Sequence, residues 1–286
     1  MTCPFLSHRP AVPRRSWRAL ARHLLIACAA LAAAVQVDAS EEVTFCFSSD
    51  THIGVAHPKD KVPFTAADTE ARNQAVLADI AALPGKPLPA LKNLPADLPP
   101  LPMPRGLILA GDLTDHCQEQ EWLDFARIFP ISEAGLPFTV LEGFGNHDWN
   151  ANGPVRAGVR ARNVQRQARL LVDRVSPNGL HYSWTWGGIH FVHLNLYPGD
   201  EPDPTGKFSH ANNDPDHSLS YLRQDLDTAI GDSGRPVVCI HHFGFDAGMS
   251  LSWRWWTERE RRAYYDLLKP YNVIAILHGH SHAAAN

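Results

Sequence analysis

His280 and His282 stand one residue apart, just past Gly279, at the end of an apolar β-prone run over residues 274–277. Gly279 lets the backbone turn sharply there, and the two imidazoles beyond it can then aim into one small space. Imidazole suits borderline metals such as zinc, iron and manganese, but paired histidines are also common in ordinary surface loops. The metal reading therefore depends on partners elsewhere, and four upstream segments supply them. Asp50 and His52 follow a β-prone run at 42–47, and Asp112 and Asp115 follow one at 106–110. Asn146, His147 and Asp148 follow residues 137–141, and His241 and His242 follow residues 235–240. In layered α/β folds, ligands gather where strands end and loops begin. Five such ends carry oxygen or nitrogen ligands without thiolate, a donor set that fits manganese, iron or zinc.

In chain order the set reads Asp-x-His, Gly-Asp-x-x-Asp, Gly-Asn-His-Asp, His, Gly-His-x-His, and it resembles the calcineurin-like metallophosphoesterases from about Val43 to His282. The resemblance implies an α/β fold, a two-sheet β-sandwich flanked by helices. It implies a phosphoester hydrolase with two divalent or trivalent metal ions (Mn, Fe or Zn), a metal-bridging hydroxide as attacking group and no covalent enzyme intermediate. Carried over motif by motif, Asp50, His52 and His282 hold the first metal, Asp112 bridges, and Asn146, His241 and His280 hold the second. His241 is preferred over His242 because the family's ligand usually stands two residues before a proline position, here Phe243. His147 then faces the substrate, to stabilise the transition state or protonate the leaving oxygen. Asp115 orients the His147 ring, and Asp148 is a structural loop carboxylate. The related purple acid phosphatases carry tyrosine where this chain has Asp115, so tyrosine-ligated iron is not expected and the small bacterial exported branch is the better match.

The elements that must position these groups are legible in outline. Apolar residues recur at helical spacing over residues 66–83, until Pro84 and Gly85 stop them. Residues 86–104 are rich in proline and leucine with little periodicity, which predicts an irregular insertion before the second core strand. Helices are expected over 118–129, 218–230 and 257–268, the last opening on a capping box from Thr257 to Glu260. Two β-rich runs at 180–186 and 189–196 around Gly187-Gly188 predict a hairpin in the second sheet. His190 and His193 on it match no family motif and read as structural. Residues 150–175 are basic, with Arg156, Arg160, Arg162, Arg166, Arg169 and Arg174. They form either a solvated helix face or a set from which one or two arginines reach a substrate phosphate. Phe243, Phe245, Trp253, Trp255 and Trp256 crowd a loop, as a lid over the core or as one wall of the substrate cleft.

At 286 residues the chain is long enough for one sizeable core. Its formal net charge is −4, so no nucleic-acid-binding surface is evident, and a small-molecule phosphoester is the expected partner. Residues 1–39 read as a signal peptide, in which Arg14, Arg15, Arg18 and Arg22 precede an apolar run and Val37-Asp38-Ala39 offers a cleavage site. The run is short for a membrane span, with a short anchor as the alternative. Residues 40–286 are then a periplasmic or secreted phosphoesterase domain, with no stable membrane span after cleavage. Removing the leader leaves Cys46, Cys117 and Cys239, an odd number that argues against a full disulfide framework. The Gly-His-x-His motif usually precedes further strands, yet the sequence stops at Asn286. Either the second sheet is small or the product is C-terminally truncated, with an exposed sheet edge. The preferred activity is a phosphodiesterase or broad phosphoesterase, with a phosphomonoesterase and an inactive metal-dependent binding module as alternatives.

Overall fold

The computed structural model describes residues 42–54, 65–88, 98–131, 136–207, 211–244 and 255–282, all within one compact unit, Ser40–Asn286. The expected signal peptide, Phe245, Trp253 and the last four residues lie outside them. Three short parallel strands, β1 (Cys46–Ser48), β2 (Gly106–Leu109) and β3 (Thr139–Glu142), form one sheet in that order. Helices α1 (Ala66–Ala81) and α2 (Glu119–Ile128) make the crossovers that parallel pairing demands. The chain continues through α3 (Pro154–Ala168), β4 (Arg174–Val175), β5 (Tyr182–Trp186), β6 (Ile189–His193), α4 (Ser218–Ala229), β7 (Val237–His241), α5 (Glu258–Leu268) and β8 (Val273–His278). These strands build a five-stranded sheet in the order β4-β5-β6-β7-β8, antiparallel from β4 to β6 and parallel from β6 to β8.

Side-chain alternation along the strands explains how the sheets stack. Ile108 on β2 and Leu141 on β3 meet Tyr182, Trp184, Phe191 and Ile240 of the larger sheet in one buried cluster. Leu107, Leu109 and Val140 point the other way and pack with Leu77, Phe125 and Val159 of α1, α2 and α3. On β7, Val237 and Cys239 likewise face the helix layer with Leu222, Leu226 and Tyr264. The result is the expected two-sheet sandwich with helices on its outer faces. Burying each such aliphatic or aromatic side chain stabilises the fold by about 1.5–3 kcal/mol.

Local signals land where their chemistry predicts. Gly187 and Gly188 both have left-handed φ values, 51° and 78°, and close the β5–β6 hairpin as a two-residue primed turn. Thr257 and Glu260 form the capping box of α5, with Glu260 accepting from the Thr257 amide at 2.7 Å. Lys86 and Leu101 pair across the Pro-rich segment: Gly85 N donates to Leu101 O at 2.8 Å and Leu101 N to Lys86 O at 2.9 Å. The chain therefore leaves and returns at one place before β2. His190 and His193 are buried and structural, bonded to Asp225 Oδ2 at 2.6 Å and to Leu109 O at 3.0 Å. Among the described residues no helix is long and apolar enough to cross a membrane. β8 is the outermost of the described strands on its side of the larger sheet, and Ile274 on it is half exposed.

Three arginines of α3, Arg156, Arg162 and Arg166, correct both readings of the basic segment for themselves, while Arg169 is exposed. Arg162 and Arg166 lie on the stripe of Val155 and Val159 and are buried with them. Both guanidinium groups converge on the fully buried Glu142 at the end of β3, Arg162 Nε at 3.0 Å from Oε1 and Arg166 on Oε2. Arg156 is buried as well, on Asp216 Oδ2 at 2.6 Å and the Asn212 carbonyl at 3.0 Å. Arg174 pairs with Asp225 at 3.2 Å. Arg156, Arg162 and Arg166 are therefore neither a solvated face nor phosphate anchors. They are internal pins, which composition cannot reveal because their partners are remote in sequence.

Candidate metal centre

All five motif loops meet at one end of the sandwich, stitched by main-chain hydrogen bonds. Asp50 N donates to Gly111 O at 2.9 Å and His52 N to Asp112 O at 3.0 Å, which zips the β1 and β2 loops together. Gly279 N donates to His242 O at 3.1 Å, joining the β7 and β8 loops. His147 N donates to Asp112 Oδ1 at 2.8 Å, tying the β3 loop to the β2 carboxylate. A Cβ on Gly279 would sit 1.9 Å from Ser49 Oγ and 2.6 Å from Asp50 Oδ2, so only glycine allows this approach. Asp50, His52, Asp112, His280 and His282 all carry left-handed φ values between 41° and 70°. For residues with a Cβ this costs on the order of 1–3 kcal/mol each, and such strain clusters at functional sites.

The side chains form two ligand groups that share one carboxylate. Asp50, His52, Asp112 and His282 offer atoms close enough for one ion, and Asp112, His242 and His280 offer a second set. In the first group, His52 Nε2 lies 3.1 Å from His282 Nε2, and His282 Nε2 lies 3.2 Å from Asp50 Oδ1. In the second, His242 Nε2 lies 3.2 Å from Asp112 Oδ2 and 3.1 Å from Asn146 Oδ1. A further set, His52, Asp115 and His147, adjoins the first. Two ring nitrogens aimed at each other and at a carboxylate need a proton or a cation between them. Asp50 Oδ1 is buried without a well-aligned hydrogen-bond donor. The donor set is nitrogen and oxygen only, and it fits a divalent or trivalent cation.

His242, not His241, occupies the cluster, which overturns the expectation that His241 is the β7 ligand. The reason is the period of two along β7. Residue 241 shares the helix-facing side with Val237 and Cys239, and residue 242 turns towards the cleft. His241 is fully buried, with its ring 5.6 Å from Trp256 and 5.4 Å from Tyr264. Its Nδ1 donates to Phe243 O at 2.6 Å, and burial pushes its pKa down to about 3. Val237, Cys239 and His241 alternate with Val238, Ile240 and His242, but both faces of β7 are apolar and buried, so only the packing tells which histidine meets the cleft.

Electrostatics favour a charged, cation-ready cluster. Burial raises the pKa of Asp50, but the His282 imidazole 3.2 Å away and the His242 charge outweigh it and hold the carboxyl below its ordinary value. Burial likewise opposes ionisation of Asp112, and the His242 charge again lowers its pKa. Burial depresses His242 itself, yet Asp112 beside it lifts the imidazole to about 8. His280 is pulled down to about 4 by burial, with the His242 charge adding to it, which leaves a neutral ring.

Asp115 divides its atoms among three histidines. Its Oδ1 accepts from His52 Nδ1 at 3.0 Å, and its main-chain carbonyl accepts from His147 Nδ1 at 2.9 Å. The carboxylate lies farther from His147 Nδ1, at 3.4 Å, and its Oδ2 holds His116 Nδ1 at 2.9 Å. Asp148 is the loop carboxylate expected, accepting from the amides of Leu113, Thr114 and Gly145 and from the Thr114 hydroxyl. Asn195, which no motif singled out, is buried with φ 58°. Its Oδ1 accepts from Phe144 N at 3.2 Å and its carbonyl from His242 N at 2.6 Å, so one residue joins the β3 and β7 loops.

Residues 43–284 match the family model described as calcineurin-like phosphoesterase. The chain belongs to the calcineurin-like phosphoesterase family. No curated protein matches it. Membership of the calcineurin-like phosphoesterases, with the histidine–aspartate clusters at the strand ends, supports a metal-dependent phosphoester hydrolase. The same membership implies small-molecule phosphoesters as substrates.

Proposed function

We propose that this protein is an exported phosphoester hydrolase with two metal ions, acting as a phosphodiesterase or broad phosphoesterase on small substrates. The observation that carries it is Asp112, the one carboxylate common to both ligand groups. Asp50, His52 and His282 would hold one ion, and His242, His280 and Asn146 the other, with Asp112 between. Bound there, two ions of manganese, iron or zinc supply Lewis acidity, neutralising phosphate charge and lowering the pKa of water.

The chain's own groups do the rest. Asp115 accepts a hydrogen bond from His52 Nδ1–H, which fixes the tautomer that leaves the Nε2 lone pair for the cation. The Asp115 carbonyl accepts a hydrogen bond from His147 Nδ1–H. Nε2 of His147 is then the nitrogen left to carry the second proton of the imidazolium, which would stabilise the transition state or protonate the leaving oxygen. The preference for diesters is supported by the arginines. Arg156, Arg162, Arg166 and Arg174, which could have anchored a dianionic terminal phosphate, are each paired to an internal carboxylate. Export rests on the arginine-rich, apolar leader of the sequence.

Rates on bis-p-nitrophenyl phosphate and p-nitrophenyl phosphate, in manganese and then zinc, test the reading. Faster diester cleavage is expected. Much faster monoester cleavage overturns the diester preference, and tight metal binding with no cleavage of either overturns the enzyme.

A further inference from the structure

The aromatic loop before α5 divides into two roles. Trp256 is in the core, 1% exposed, with its Nε1 donating to Gly244 O at 3.0 Å. Trp255, its neighbour, is half-buried and turns to the metal centre. Its ring lies 4.8 Å from His280 at 83° and 5.3 Å from Phe243, which is itself 5.0 Å from His280. Asn213 Nδ2 donates to the Trp255 carbonyl at 2.9 Å, which holds the main chain at the indole. A rigid aromatic beside the reaction site offers contact area at little ordering cost.

We propose that Trp255 is the specificity wall of the cleft, selecting phosphodiesters whose non-leaving ester is an aryl or nucleobase-bearing group. This rests on the hydrolase reading above. A phosphate held on the Asp112-centred cluster would sit beside His280, and of the two rings against His280, Phe243 and Trp255, only Trp255 is not fully buried. An ester group on that side therefore meets the indole, whereas a methyl ester leaves it uncovered. Aromatic stacking rewards a planar ring beyond the area it buries, and bases stack on such platforms with little sequence preference.

The test holds the leaving group constant and varies the other ester. Bis-p-nitrophenyl phosphate and methyl p-nitrophenyl phosphate both release p-nitrophenolate. The wild-type ratio of kcat/KM should favour the aryl diester, and Trp255→Ala should cut that ratio by about tenfold, with Trp255→Phe retaining most of it. Metal content, by elemental analysis, should stay at the wild-type level in both variants. Binding of diphenylphosphinate against dimethylphosphinate to the metal-loaded protein, by calorimetry, gives a second readout without turnover. A wild-type aryl preference of the phosphinates that Trp255→Ala abolishes supports the wall even if neither ester is cleaved, an outcome that sinks the hydrolase reading instead. An unchanged ratio in Trp255→Ala overturns the wall while leaving the hydrolase standing. So does a parallel loss on both ligands together with metal, which would make Trp255 only a support for His280.

Discussion

Asp112→Asn tests the shared carboxylate, because it removes the charge common to both ligand groups while preserving size. The expected outcome is loss of bound metal, read by elemental analysis. His147→Ala should keep its metal and lose turnover by roughly 10²–10⁴-fold, the contribution of a positioned acid; metal lost in parallel with activity would show His147 to be a ligand. The β7 pair separates as sharply. His242→Ala should lose metal, whereas His241→Phe, which preserves an aromatic among Trp256 and Tyr264, should retain it. His242 also sets a pH dependence in the metal-free protein. Its folded pKa, about 8, lies above its ordinary 6.5, so its stabilisation is fully present below pH 6.5 and lost as pH rises through 8. The shift amounts to about 2 kcal/mol. Between those pH values the chelated wild type should lose urea resistance relative to His242→Gln, and a constant difference between the two would refute the assignment.

The element that most needed its partners to be understood is α3. Its apolar stripe is short, and sequence alone leaves its arginines between a solvated face and a phosphate site. Folded, Arg162 and Arg166 share Glu142 in the core, and each also donates to a main-chain carbonyl, of Phe129 at 2.7 Å and Val140 at 2.9 Å. Burying one carboxylate with two guanidinium groups stabilises little by itself, but removing one charge of such a set leaves the others uncompensated. Glu142→Gln should cost about 3–5 kcal/mol in urea unfolding; a cost under about 1 kcal/mol would mean that water reaches the site. Helices and the hairpin were far more legible, because capping boxes and a Gly-Gly turn act within a few residues of themselves.

At the scale of the molecule, the centre is a clasp between the two sheets. Asp50, Asp112 and Asn146 come from loops of the three-stranded sheet, and His242, His280 and His282 from loops of the five-stranded one. A cation bound by both sides stabilises the folded state by mass action, about 2.7 kcal/mol at a hundredfold excess over Kd. For a domain of this size that corresponds to roughly 5–10 °C in Tm. Adding a chelator should lower the calorimetric Tm by that amount, and restoring manganese or zinc should return it. A Tm indifferent to chelator would argue that the loops are held by their own hydrogen bonds alone.

Residue types and their order along the chain determined the family, the sandwich and most of the cluster, because each motif follows its strand within a few residues. The tertiary structure alone decided what depends on which way a side chain faces. His241 and His242 are chemically identical and adjacent, and only the face of β7 in contact with the cleft separates them. Asp115 could be matched to His147 by order, but its carboxylate went to His52 because the β1 and β2 loops are zipped together. Arg162 and Arg166 met Glu142 across 20 and 24 residues, a pairing that exists only once α3 packs on β3. Trp255 and Trp256 are likewise alike in sequence, and Trp256 went to the core while Trp255 packs half-buried beside His280.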